Sequence, residues 1–262
     1  MLFRSSIYQD LYNISFFDPY FTMDGVSRGY SVYFRETDYG EFNVANYLTN
    51  SIGAGVQFSY PLNETQRIGL NINYDNTEIQ EGTLPAREIA DFLKSEGTEF
   101  EVIKLQAVWS RITLNRGLFP TNGSQLDVMF QTTIPGSDLN YFKLNLQNKF
   151  YRPLPFADLV FGFDGSLGYI GAYGDTEVTP FFENFYSGGP KSIRGFRSNT
   201  LGPRVTPTPC YGFIQETGEC PPYYDLDFDG VPETPAPNPY AYQQSFDPIG
   251  GNFLIEGSLQ LI

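Results

Sequence analysis

From Tyr141 to Phe150 the even positions read Phe142, Leu144, Leu146 and Phe150, while the odd ones read Tyr141, Lys143, Asn145, Gln147 and Lys149. A chain whose side chains change character at every residue is a strand with one apolar and one polar face, because successive Cβ atoms of extended backbone point to opposite sides. The pattern recurs. Ile68, Leu70, Ile72 and Tyr74 alternate with Gly69, Asn71 and Asn73; Ile103, Leu105, Ala107 and Trp109 with Lys104, Gln106 and Ser110; Leu126, Val128 and Phe130 with Gln125, Asp127 and Gln131. Nine such segments are predicted, at 8–16, 27–37, 50–60, 66–74, 100–113, 124–133, 140–151, 159–169 and 252–261. The fold class is all-β.

Periodicity alone suits a soluble β-sandwich as well as a membrane barrel, and connection lengths shift the balance. No window approaches about 18 consecutive apolar residues, which excludes a helical span, whereas most of the segments reach the roughly ten residues that cross a bilayer at a tilt. Short links around Pro61, Pro120 and Pro153 take turns with longer ones at 75–99 and 171–251. Short turns on one side and long loops on the other are the pattern of an antiparallel transmembrane β-barrel. Tyr60, Tyr74, Tyr141, Tyr151 and Tyr169, near strand ends, suit its aromatic girdles. Within the earlier long loop, LPAREIADFLKSEG places Ile89, Phe92 and Leu93 on one helical face and predicts a short surface helix. The later loop is far beyond ordinary connector length and is therefore expected to be functional.

Composition removes whole function classes. The net charge is -14, and 16 basic residues spread over 262 positions cannot supply the clustered cationic surface that a nucleic-acid partner needs. The chain has no histidine, and with it go the usual general base, the usual zinc ligand and the Ser-His-Asp constellation. Walker and Rossmann fingerprints are also absent. The expectation is a non-enzymatic protein without a cofactor.

Against that acidity, GGPKSIRGFRSNTLGPR, from Gly188 to Arg204, is cationic and hinged by glycine. Together with the preceding FFENFYS it resembles the sixth extracellular loop of BamA-type insertases of the bacterial outer membrane, with Ile193, Arg194, Gly195 and Phe196 at the RGF core. DPYFTMDGVS from Asp18, RGLFPTNGS from Arg116, TIPGSDLNYFK from Thr133 and GGNFLIEGSLQLI from Gly250 resemble further segments of that family, in the family's order. The resemblance implies that residues 1–262 are part of a sixteen-stranded barrel, about its fourth to twelfth strand, with POTRA domains and the terminal strands outside this chain. It also implies a bacterial outer-membrane location, insertion of other barrels by templating at the parent's seam, and partners comprising outer-membrane lipids, nascent β-barrel clients and accessory lipoproteins reached through the POTRA domains. A TamA-like or two-partner-secretion pore shares the loop motif, and a passive channel is the alternative of another class.

In the family the long loop folds into the lumen and its arginine pairs with acidic residues on the inner wall. A guanidinium taken out of bulk water needs such acceptors. By strand parity Glu256 faces inward and is a candidate partner of Arg194. Gln260 is the second candidate, standing where the family usually carries a glutamate. Gly195 is expected to turn the backbone sharply, and Phe196 to pack on the wall. Farther along the loop, Cys210 and Cys220 read as a disulfide in an exported protein, zinc being the weaker reading without histidine. Asp225, Asp227 and Asp229 match the first half of an EF-hand calcium loop, but Pro232 interrupts the second half and Ala236 stands where its glutamate belongs. A solvated acidic turn is the alternative there.

Overall fold

The computed structural model describes residues 2–6, 9–40, 47–82, 85–155, 159–190, 192–210, 241 and 246–262. Ten strands lie side by side in chain order, each antiparallel to the next. They are β1 (Leu2–Ser5), β2 (Gln9–Asp18), β3 (Ser27–Asp38), β4 (Tyr47–Asn63), β5 (Gln66–Glu81), β6 (Glu99–Ile112), β7 (Gly123–Thr133), β8 (Tyr141–Pro153), β9 (Val160–Ala172) and β10 (Phe253–Leu261). The count corrects the expected nine. β1 has four residues, too few for alternation to register, and is defined by its pairing with Asp10 to Asn13 of β2. β1 and β10 are the two edges of the sheet, so the wall is open.

Alternation positions the faces as the period requires. In β10 Phe253, Ile255, Leu259 and Leu261 point outward, with Ile255 and Leu259 each 71% exposed, while Leu254, Glu256, Ser258 and Gln260 are partly covered on the inner side. Ile14, Val32, Ile52, Leu70 and Phe130 continue the exposed apolar surface across the wall. A sandwich would cover these side chains with a second sheet, and the described residues form one sheet only. Lipid is the solvent that such a face fits. Two of the expected girdle tyrosines do not belong to it. Tyr141 is 1% exposed and Tyr151 lies beside Gly162, both on the inner side, since they fall on the odd positions of β8.

β4 and β5 outrun their predicted ends because the polar stretch after Tyr74 keeps pairing, to Tyr47↔Glu81. Ser51 and Thr77 hydrogen-bond between the two strands within this extension, and Ile79 is buried. Helix α1 (Arg87–Glu96) follows, within the predicted span. Its spacing of i, i+3 and i+4 sets Ile89, Phe92 and Leu93 on one face. That face is buried rather than lying on the surface, in a cluster with Tyr47, Ile79, Phe100, Val102, Tyr141, Ile170 and Phe181. The only large hydrophobic core among the described residues therefore lies at the long-loop end of the wall, where strand extensions, helix and loop meet. The earlier loop shrinks accordingly to 82–98.

The lumenal loop and its candidate anchors

The segment between β9 and β10 folds onto the inner face of the wall, and its first anchor is one the sequence reading missed. A short 3-10 turn, Phe181–Glu183, buries Phe181 in the apolar cluster and swings Glu183 toward the strands. Glu183 Oε1 accepts from Lys104 Nζ of β6 at 2.8 Å and from the Tyr141 hydroxyl at 3.0 Å. Lys143 of β8 donates to the Glu183 backbone oxygen at 2.7 Å and to Oε2 at 3.3 Å. Lys104 is shared with Asp75 of β5 at 3.0 Å, and Asp75 in turn accepts from the Tyr33 hydroxyl. Burial by itself would push the Glu183 carboxyl up, but Lys104 and Lys143 overcome it and hold the group down at about 2. The loop is thus tied to β6 and β8 through one carboxylate, and to β5 through the lysine it shares with Asp75. The signal for it existed: parity already placed Lys104 and Lys143 on the polar face, and FFENFYS offers a single acid among aromatic residues.

Beyond Glu183 the chain runs along the wall. Phe185 pairs with Gly251 through two backbone hydrogen bonds of 2.9 Å, and its ring lies over Gly168 of β9. A Cβ at Gly168 would sit 2.6 Å from that ring, so the close approach requires glycine. Lys143 Nζ also stands 4.8 Å from the Phe185 ring centroid. The Asn184 amide and the Tyr186 hydroxyl both donate to the Ile249 carbonyl, binding the loop's two limbs together.

The second anchor is Glu256, inward as parity predicts. It receives three hydroxyls: Ser166 of β9 at 3.1 Å, Ser187 of the loop at 2.8 Å, and Ser192 of the loop. Ser192 Oγ also accepts from the Gly188 N–H at 3.1 Å, so the turn before the RGF core is closed on itself and seated on the wall in one arrangement. Arg194 and Glu256 line the same cavity of about 750 Å³, together with Gln260, Lys149 and Asp164. They form no ion pair: Glu256 is occupied by the serines, and Arg194 is exposed without a hydrogen bond or ion pair among the described residues. Gln260 lines the cavity without bonding to Arg194. Gly195 has φ 90, in keeping with its expected sharp turn. Ile193 and Phe196 are exposed, Phe196 by 53%, so Phe196 does not pack on this part of the wall.

The outer limb is fixed separately. Arg204 donates to the carbonyls of Thr200 and Phe246. Glu88 of α1 accepts from the Thr206 N–H at 3.0 and 2.9 Å and from its hydroxyl at 2.6 Å. Cys210 is buried and is not a free thiol. Its expected partner Cys220 lies outside the described residues, as do Asp225, Asp227 and Asp229.

The Omp85 superfamily domain matches residues 2–262. The chain is 35% identical over 204 residues to the outer membrane protein assembly factor BamA of Neisseria meningitidis, covering 74% of this chain and 25% of that protein. A SAM50-like protein of Drosophila melanogaster is 26% identical over 196 residues, covering 74% of this chain and 43% of the relative. Among solved structures, BamA from Haemophilus ducreyi lacking POTRA domains 1-3 matches with a TM-score of 0.78 and 26% identity, over 97% of this chain and 45% of that one. The chain spans less than half the length of each of these relatives. With an open antiparallel wall, a loop seated on its inner face and a domain match along almost every residue, the chain belongs to the Omp85 superfamily.

Proposed function

We propose that this chain is wall and lumen loop of a protein that assembles and inserts β-barrel proteins into the bacterial outer membrane. The observation that carries the reading is the seating of the long loop on the inner wall by Glu183 and Glu256, in a chain 35% identical to an assembly factor of the outer membrane. A loop seated on the inner face of the wall narrows the interior, which favours work done at the strands over conduction through the interior. Clients are nascent β-barrel chains, whose unpaired strand edges are templated at the seam between the complete protein's terminal strands, outside this chain. Accessory lipoproteins are partners of the complete protein through POTRA domains. The reaction is non-enzymatic: no bond in the client is made or broken, and the driving force is burial of apolar surface and backbone pairing in lipid. Within this reading Arg194 finds its acceptor on strands beyond β10.

Reconstitution of the full-length protein in liposomes tests this. It is expected to accelerate folding of a client barrel, followed as heat-modifiable electrophoretic mobility. Ion conductance without acceleration would instead support the channel.

A further inference from the structure

At the short-turn end of β6 to β8 the outward wall carries polar side chains among its apolar ones. On β6 the outward parity of Ile103, Leu105, Ala107 and Trp109 leads to Arg111, the penultimate residue of the strand at its short-turn end. Arg111 lines a cavity of about 400 Å³ on the outer face, together with Leu126, Asn148, Phe161 and Phe163. The register explains the grouping: Arg111 pairs with Leu126 and Leu126 with Asn148, so the three form one row across β6, β7 and β8. Asn148 lies on the even, outward face of β8, where Phe142, Leu144, Leu146 and Phe150 are its neighbours in phase. Its Oδ1 is buried without a hydrogen-bond partner. A second arginine, Arg152, stands on the same outward face and pairs in register with Phe161 of the cavity. Neither arginine makes a hydrogen bond or ion pair among the described residues.

An unpaired amide on a wall facing hydrocarbon is costly, and nothing in the strand ladder demands asparagine there. A cation on the outward face is tolerated only near the interface, which is the level of a strand end just past a tryptophan. We propose that this cavity binds one glycerophospholipid from the leaflet at the short-turn end. The phosphate lies on Arg111, with Arg152 beside it. The Asn148 amide N–H donates to an ester oxygen, its Oδ1 accepts from the headgroup ammonium, and an acyl chain runs over Leu126, Phe161 and Phe163. Charge complementarity selects this occupant: a purely apolar ligand would leave the guanidinium and the amide unanswered, while a free anion would leave the aromatic floor wet. The proposal rests on the outward wall facing lipid and not on the insertase reading. Lipid retention is measured without a client, so the two can fail separately.

The test is native mass spectrometry of the full-length protein, delipidated in detergent and then offered phosphatidylethanolamine in mixed micelles. One retained lipid per protein is expected. Arg111→Gln and Asn148→Leu should each lower retention about tenfold, the worth of one charge-assisted or buried hydrogen bond. Asn148→Leu puts an apolar group on an apolar wall, so the barrel stays folded and lost binding is separable from lost fold. Diacylglycerol with the same chains should be retained at least about tenfold less than the phospholipid. Retention unchanged by both substitutions, or equal retention of diacylglycerol, overturns the proposal. Displacement of the lipid by an equal concentration of inorganic phosphate also overturns it, marking an anion site only.

Discussion

Glu183→Gln removes one negative charge and leaves Lys143 facing an amide, with Lys104 retaining only Asp75. The fall of the Glu183 carboxyl from its ordinary 4.5 to about 2, at about 1.4 kcal/mol for each tenfold change in proton affinity, corresponds to about 3 kcal/mol of preference for the charged form in the seated loop. That agrees with the roughly 3 to 5 kcal/mol lost when one partner of a buried ion pair is removed. About 3 kcal/mol raises the unseated population about a hundredfold. If opening and closing are fast relative to cleavage, a protease added outside cells expressing the full-length protein should cut the loop about a hundredfold faster in the variant. The pH dependence has a definite sign. The folded-state value is depressed, so the stabilisation is complete above the unfolded value of about 4.5 and is lost as pH falls from there toward about 2. Wild-type loop protection should therefore decline across that window, while Glu183→Gln already shows the weakened protection at pH 7 and lacks this transition. Cleavage of the variant at the wild-type rate at pH 7 would refute the argument, since the carboxylate would then contribute nothing to seating.

Glu256→Gln exchanges a charged acceptor of three hydroxyls for a neutral one and should loosen the Ser187 to Ser192 turn by about 1 to 3 kcal/mol; cysteine labelling at Ser198→Cys should rise, and combination with Arg194→Ala should be additive because the two side chains share no bond. Gly168→Val drives a side chain into the Phe185 ring, so the thermal transition should fall by the equivalent of about 1 to 3 kcal/mol, with Phe185→Leu in the same chain restoring part of it; a silent Gly168→Val would mean that the loop does not lie on β9. Cys210 and Cys220 are proposed to be linked in the oxidised protein, and peptide mapping without reductant should recover the pair, whereas two alkylatable thiols in material folded in an oxidising compartment would rule the bridge out.

The strands and the helix were legible because their signals are local. Period 2 placed all the long strands and put Glu256, Lys104 and Lys143 on the correct side, and a spacing of i, i+3 and i+4 set Ile89, Phe92 and Leu93 on one helical face, though it did not show that this face is buried under the loop. Leu2–Ser5 escaped because four residues carry no period. The RGF core was found from its residues, but the partner of the wall carboxylate was not. Parity says which way Glu256 points and nothing about which part of an eighty-residue loop arrives opposite it. Two glycines and a serine on each side of them closed that turn first, and the hydroxyls reached the carboxylate where an arginine was expected. Glu183 was missed for the same reason, since its lysines are about 40 and 80 positions away in the chain.

The loop is fastened at three separated points along its path, to α1 through Glu88, to mid-wall lysines through Glu183, and to β10 through Glu256. A tether pinned in series yields in stages. Pulling on the tip strains first the serine latch at Glu256 and the Ser187–Leu201 bridge beside it, and the slack released ends at the next pin. A short excursion of the RGF segment therefore costs a fraction of what full withdrawal costs, and recoil needs no search, because the segment still held guides the freed one back to its seat.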